Sequence, residues 1–254
     1  MTNHTADTSP NKIRKAAGLA LPLVIISTIL KWIWLIVKGL NSNQINKSEK
    51  FWDMISNDFD KQAKDEKSEK NHISTIENTK KYLSASDIVL DYGCATGTVA
   101  IEIADKVKKI HGIDISSKMI DAAKRKAGEC KIENIDFTQS SIFDERHKKG
   151  SFDVVLAFNI LHLLEDTSKV VQRINGLLKP EGLIISVTAC MGEKKTLLSI
   201  FLFALVKIGI IPFNMRFFKI SELKDLISNG NFLIIQVENL PNNPLEYFIV
   251  AKKI

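Results

Sequence analysis

From Ser86 onward, apolar runs of strand length alternate with amphipathic stretches of helix length, and this alternation restricts the fold more than any other feature of the chain. Strands are predicted near 87–92, 109–114, 134–138, 152–158 and 182–188, with helices near 97–107, 117–127 and 166–178 between most of them. Such a sequence specifies a mostly parallel sheet with helices on both faces, an α/β doubly wound architecture. The chain closes differently, with a helix predicted at 221–229, a strand at 232–239, the turn LPNNP and a strand at 245–252. A connection that short cannot hold a crossover, so the last two strands are expected to pair antiparallel.

The 254 residues suffice for one sizeable core and an appendage. Residues 1–15 read as a polar tail, and 16–40 (AAGLALPLVIISTILKWIWLIVKGL) as a hydrophobic helix. From Leu19 to Val37 the only charge is Lys31; at helical rise this stretch is about 28 Å long, against roughly 30 Å of bilayer hydrocarbon. A membrane anchor is the expected role. A helix lying in the interface, with Lys31 snorkelling beside Trp32 and Trp34, and a core or signal segment stay open as alternatives. Basic residues flank the segment on both sides, so charge does not set its orientation. NSNQINKSEK, 41–50, reads as a linker, and 51–254 as the globular domain, opening with charged helix that carries sparse apolar anchors.

The net charge is +6, from 35 basic and 29 acidic residues, with lysines spread along the chain. That distribution favours a solvated surface, near anionic lipid if anywhere, and no nucleic-acid partner is expected. Cys94, Cys130 and Cys190 lie far apart with no CxxC, and the five histidines are scattered, so neither a metal site nor a disulfide framework is expected.

The chemistry centres on DYGCATG, residues 91–97, which ends the first strand of the alternating region. In a doubly wound sheet, ligands bind outside the carboxyl ends of the strands. Gly93 and Gly97 permit unusual backbone angles, and Ala95 adds little bulk, so a ligand can lie against the main chain. Asp114 ends the next strand, 21 positions past Gly93, where it suits either a ribose or the cap of the following helix. A dinucleotide fingerprint would need glycines where this chain has Gly93, Ala95 and Thr98, and fails at the last two. Asp91 also sits poorly beside a diphosphate and better beside a cationic ligand, which points to S-adenosylmethionine.

VLDYGCATGTVAIEIA resembles the first motif of class I S-adenosylmethionine-dependent methyltransferases, usually VLDxGCGTG followed by a helix. The similarity continues through HGIDISSKMIDAAKRKA, SFDVVLAFNILHLLED, INGLLKPEGLIISV and the closing FKISELKDLI…YFIVAKK, over roughly residues 51 to 254. The resemblance implies a Rossmann-like seven-stranded sheet with an antiparallel last strand. It also implies that Asp91, Gly93 and Gly97 face the methionine end of the cofactor, with Ala95 in place of the middle glycine of that cofactor turn, Asp114 the ribose, and Ile115 and Met119 the adenine. Ser141 stands where many relatives place an Asp that bonds the adenine amine, with Ile142 beside it, and Asn159 lies where the pocket closes near the methyl group. Ala95 and Ser141 are the two departures from the family pattern.

His162, three residues past Asn159, is the candidate general base; a histidine that only orients its loop is the alternative. The fourth strand is followed by FNIL rather than NPPY or DPPY, against amino methylation of adenine or glutamine. Residues 193–213 are expected to form an acceptor lid, within which TLLSIFLFALVKIGIIPF is apolar nearly all round a helix. It must pack on its own domain or face something greasy. The expected function is a membrane-associated methyltransferase, its catalytic domain cytoplasmic, acting on a lipophilic small molecule or lipid. A protein or nucleic-acid acceptor and a non-catalytic S-adenosylmethionine-binding module are the alternatives.

Overall fold

A computed structural model describes residues 44–62, 66–194, 197–208, 211 and 215–254. The expected tail and hydrophobic helix, 1–15 and 16–40, lie outside the described residues. Among the described residues, no helix is long and apolar enough to cross a membrane. The described residues fall within one compact unit, 42–254.

Two helices, α1 (Gln44–Gln62) and α2 (Glu66–Lys80), precede the sheet. Residues 44–50 of the expected linker are therefore helical, a correction: polar composition marks solvent exposure, not irregular backbone. Then follow β1 (Ile88–Tyr92), α3 (Thr98–Ile103), β2 (Lys109–Asp114), α4 (Ser117–Glu129), β3 (Ile135–Gln139), β4 (Phe152–Phe158) and α5 (Thr167–Leu177). The chain continues through β5 (Leu178–Ala189), α6 (Leu197–Lys207), α7 (Ile220–Asn229), β6 (Phe232–Leu240) and β7 (Asn243–Lys253).

The seven strands lie in the order β3-β2-β1-β4-β5-β7-β6. Pairing is parallel from β3 through to β5, while β7 runs antiparallel between β5 and β6, as the tight terminal turn requires. Order reverses at β1, which pairs β2 on one side and β4 on the other, so the crevice at the carboxyl ends of β1 and β4 is the place for a ligand.

Successive strand residues point to opposite faces, and both faces are covered. Leu90, Val155, Ile184 and Ile249 pack with Val170, Val171, Ile174, Leu223 and Ile227 of α5 and α7. Val89, Val154, Ile185 and Val250 pack with Ala100, Ile103, Ile120 and Ala123 of α3 and α4, and with Ile76 of α2. This two-sided burial explains why the strand sequences lack polar alternation. Ser116 caps α4 by accepting the Met119 N–H at 3.1 Å, and Asp166 caps α5 by accepting that of Lys169 at 3.0 Å.

Two boundaries differ from those expected. α3 ends at Ile103 and continues only as a 3-10 turn, Ala104–Lys106. β5 starts at Leu178, which pairs Phe152, and then breaks register before Leu183 pairs Val154. Between them Pro180 lacks an N–H and Glu181 has a φ of 64°, so KPEG reads as a turn although it lies within the strand.

Candidate functional site

The turn after β1 is built by backbone hydrogen bonds. Gly93 and Cys94 both donate to the Ile113 carbonyl, at 2.8 and 3.1 Å, folding the chain back over the end of β2. Gly93, Ala95 and Gly97 all have positive φ, at 75°, 46° and 75°. Ala95 thus holds a left-handed conformation that glycine would hold more cheaply, by about 1 kcal/mol. A Cβ at Gly93 would overlap the Ile160 side chain, and one at Gly97 the Phe137 ring. Gly97, with Ala123 Cβ also close, is required by close approach as well as by angle; at Gly93 the neighbour is the movable end of a side chain, and the angle is the firmer requirement.

Asp91 lies within β1, registered with Gly112 and Leu156, and is buried. Its Oδ2 has no hydrogen-bond partner. Burial, then the nearby Asp114 charge, pushes its carboxyl up to about 7. A buried, unpartnered carboxylate oxygen at the mouth of a doubly wound sheet fits a cationic ligand group.

Asp114 accepts from Ala95 N–H at 3.1 Å and Ser116 N–H at 2.9 Å, tying the first turn to the second. The helix cap is Ser116, so the capping alternative for Asp114 falls to its neighbour. Burial raises the Asp114 carboxyl, against the lowering effect of those N–H donors. Met119 is buried and Ile115 half-buried, its carbonyl accepting from Gln139 Nε2 at 3.0 Å. The Ser141 hydroxyl accepts from Phe143 N–H at 3.1 Å within its own turn, and the Ile142 side chain enters the core. Asn159 is exposed with a φ of 51°, its N–H donating to Val187 O at 2.7 Å. His162 is buried on a 3-10 turn, Leu161–Leu163. Its Nδ1 is unpartnered, and burial lowers its pKa to about 4, holding the ring neutral. Its carbonyl accepts from Arg216 N–H at 2.7 Å, which fastens the 215–219 segment to the β4 loop.

Sequence reasoning expected charged helix from residue 51 onward but did not bring α1 to the site. Three of its acids reach the carboxyl edge of the sheet: Glu49 accepts from Gln139 Nε2 at 2.9 Å, Asp53 from Ser116 Oγ at 2.5 Å, and Asp60 from Thr96 Oγ1 at 2.5 Å. Lys126 donates to Asp60, Thr96 and Thr98 together, at 2.8–3.2 Å. The helix therefore lies across the ends of β1, β2 and β3. The available signal was spacing: positions 49, 53 and 60 fall on one face of a helix. No group of three or more potential metal ligands occurs among the described residues. A shallow cleft of about 490 Å³ is lined by other residues, Arg216, Phe217, Phe218, Glu222, Asp225, Leu226 and Asn229.

Residues 83–207 match a family model described as a methyltransferase domain. With the fold, this match gives the class: an S-adenosylmethionine-dependent methyltransferase of the class I type, with S-adenosylmethionine as cofactor. More particularly, the chain is 26% identical over 239 residues to a ubiquinone biosynthesis O-methyltransferase of Rickettsia bellii (strain OSU 85-389), covering 85% of this chain and 98% of that one. It is 27% identical over 154 residues to a demethylmenaquinone methyltransferase of Lactococcus lactis subsp. lactis (strain IL1403), covering 59% and 61%. Among solved structures, geranyl diphosphate C-methyltransferase from Streptomyces coelicolor A3(2), in complex with Mg2+, geranyl diphosphate and S-adenosyl-L-homocysteine, superposes with a TM-score of 0.60. That match has 13% identity, covers 72% of this chain and 81% of the other, and is a likeness of fold.

Proposed function

We propose that this protein methylates a lipophilic small molecule of the quinone-precursor kind while associated with a membrane. The observation that carries the reading is the segment leaving β5. Because β5 is parallel to β4 and β1, its end at Ala189 lies on the same edge as the cofactor turns. The residues that follow include α6, whose outward face is apolar, and the 215–219 stretch bonded to the His162 loop. A greasy surface on the acceptor side suits a greasy acceptor, and relatives named for ubiquinone and menaquinone biosynthesis support the same class.

Bound S-adenosylmethionine supplies a methyl group activated by a sulfonium leaving group. Asp91 is assigned to the ammonium of the cofactor, and Asp114 to its ribose, with Gly93, Ala95 and Gly97 leaving the backbone open to it. Ile115 and Met119 are assigned to the adenine, with Ser141 and Ile142 beside it. The acceptor atom forms its new bond with a lone pair; if it is a hydroxyl, its proton must leave. His162 is assigned to take that proton on Nδ1, with Asn159 at the mouth of the pocket. Burial keeps the ring neutral but also makes it a weak base, so a loop-orienting role for His162 stands beside this one. The hydrophobic segment 16–40 is assigned as the anchor, with the catalytic domain on the cytoplasmic side.

Incubation with S-adenosylmethionine labelled in the methyl group, together with a cellular extract, tests the acceptor. The label is expected in the organic-solvent fraction. Label confined to protein or nucleic acid would replace this acceptor class, and cofactor binding without label in any fraction would favour a non-catalytic module.

A further inference from the structure

α6 departs from the usual arrangement of a surface helix, being apolar on its outer side as well as its inner one. Ser199, Leu202 and Leu205 are buried against the domain, whereas Leu197, Ile200, Phe201, Phe203 and Ile208 face outward, with exposures from 49% at Phe203 to 88% at Leu197. Positions 197, 201, 204 and 208 form one stripe along the helix, and 200 and 203 widen it. A helix on a soluble surface places polar residues there. Here the exposed side of 197–208 has a single charge, Lys207, and no acid.

The rim of this face is basic. Lys207 lies 5.4 Å from the centre of the Phe203 ring, and Phe203 packs edge-on against Phe217 at 5.7 Å between centroids. Arg216, next to Phe217, stands 4.7 Å over the Phe218 ring. Lys194, Lys207, Arg216 and Lys219 are all exposed. Of the acids nearby, Glu193 accepts from Ile220 N–H at 2.5 Å and Glu222 from Lys219 N–H at 2.9 Å, while Asp225, in the cleft beside Arg216, is exposed. Phenylalanines and leucines beside lysine and arginine are the composition of helices that lie in the headgroup region of a bilayer.

We infer that the outer face of α6, with the aromatic and basic residues of 216–219, docks onto an anionic lipid surface. This deepens the proposed membrane function and rests on it for the origin of the acceptor. Charge decides between lipid and a second copy of the chain. A two-fold dimer would bring Lys207 and its basic neighbours against their own kind, whereas anionic headgroups neutralise them. The apolar side chains enter the acyl boundary while Lys207 keeps its ammonium at headgroup level along the Phe203 ring. Docking there turns the carboxyl edge of the sheet towards the bilayer.

The test uses the full chain and a reader placed in the face itself, so that binding through another segment does not imitate it. Cys94 and Cys190 are buried and Cys130 is exposed. In a Cys130→Ser background, Phe201→Cys is labelled with an environment-sensitive nitrobenzoxadiazole probe, with Ile73→Cys on α2 as the comparison position. Titration calorimetry with S-adenosylmethionine checks that each labelled protein is folded. Vesicles of phosphatidylcholine containing phosphatidylglycerol are expected to shift the position-201 emission to the blue and raise it several-fold. Pure phosphatidylcholine is expected to do much less, and the position-73 signal to stay unchanged. Adding Lys207→Glu and Arg216→Glu should weaken the response at least about tenfold, on the order of 1 kcal/mol per basic residue near an anionic surface.

Several outcomes would overturn the inference. A protein that floats with vesicles while position 201 stays silent docks elsewhere, and the membrane reading stands without this face. Equal responses to neutral and anionic vesicles remove the anionic-lipid assignment. A blue-shifted probe without lipid assigns the face to a second copy if it depends on protein concentration, and to the protein's own chain if it does not. Label missing from the lipid fraction in the methylation assay, with position 201 still responding, sinks the acceptor reading and leaves the docking.

Discussion

At the scale of single residues, Asp91 has the sharpest consequences. Its carboxyl is raised to about 7, so between pH 3.8 and 7 the folded cofactor-free protein holds a proton that the unfolded chain releases. A raised acid gives its best stability below the unfolded value, loses it as pH climbs towards 7, and changes no further above that. Asp91→Asn removes this cost. At pH 8 the cofactor-free variant should melt a few degrees above the parent, on the order of 1 kcal/mol or more. The same substitution removes a charged partner for the ammonium, so affinity for S-adenosylmethionine should fall at least about tenfold, the loss of one charge-assisted hydrogen bond. Thermal unfolding and titration calorimetry on the same two proteins check both signs, and unchanged affinity would refute the assignment. What was legible here was residue type and place: a carboxylate ending a strand before a glycine turn. The unpartnered Oδ2 was not, because it depends on β2 and β4 closing around it. Asp114 shows the same limit. Its two roles could be separated only once Ser116 was seen to hold the cap, a matter of side-chain geometry rather than sequence.

At the scale of elements, α1 was the least legible part of the site and gains the clearest test. Polar residues at 44–50 suggested a linker, since periodicity with so few apolar positions is weak. The acids at 49, 53 and 60 share a face, but their partners lie between 36 and 90 positions away in sequence, and local pattern contains nothing about such pairings. The start of β5 was missed for the opposite reason, a turn signal inside a strand held by its neighbours. Because α1 spans the turns assigned above to the cofactor, its release is expected to accompany cofactor exit. Asp60 is half exposed, with Lys126 a quarter exposed, so this ion pair adds little to overall stability, ~1 kcal/mol at most. Asp60→Ala should leave the melting temperature nearly unchanged yet speed dissociation of S-adenosylhomocysteine roughly 3- to 10-fold, through loss of the Thr96 and Lys126 hydrogen bonds. Stopped-flow displacement reads that rate. A parent-like rate in a variant that has lost the ion pair would mean that α1 does not gate the pocket.

At the scale of the whole molecule, the sheet was legible almost completely, in strand count, direction and the antiparallel closing pair, because a two-sided core writes itself into continuous apolar runs. The outward face of α6 was half legible. Its composition announced a greasy partner or a buried site, and folding divided the helix between the two. Both hydrophobic cores, α1 and every candidate site residue lie within residues 44–254. These residues fall within the compact unit 42–254. A chain beginning at Ser42 is therefore expected to fold, to bind S-adenosylmethionine within about threefold of the full chain, and to melt within a few degrees of it, because both cores lie inside that unit. If 16–40 is the anchor, this fragment should sediment with vesicles far less than the full chain, retaining only the salt-sensitive attachment through α6. Raising salt from 50 to 500 mM should then release the fragment but not the full chain. A fragment that binds vesicles as firmly as the full chain at high salt would shift the anchoring role from 16–40 to the domain; one that cannot bind cofactor would show that the first 41 residues are part of the catalytic body.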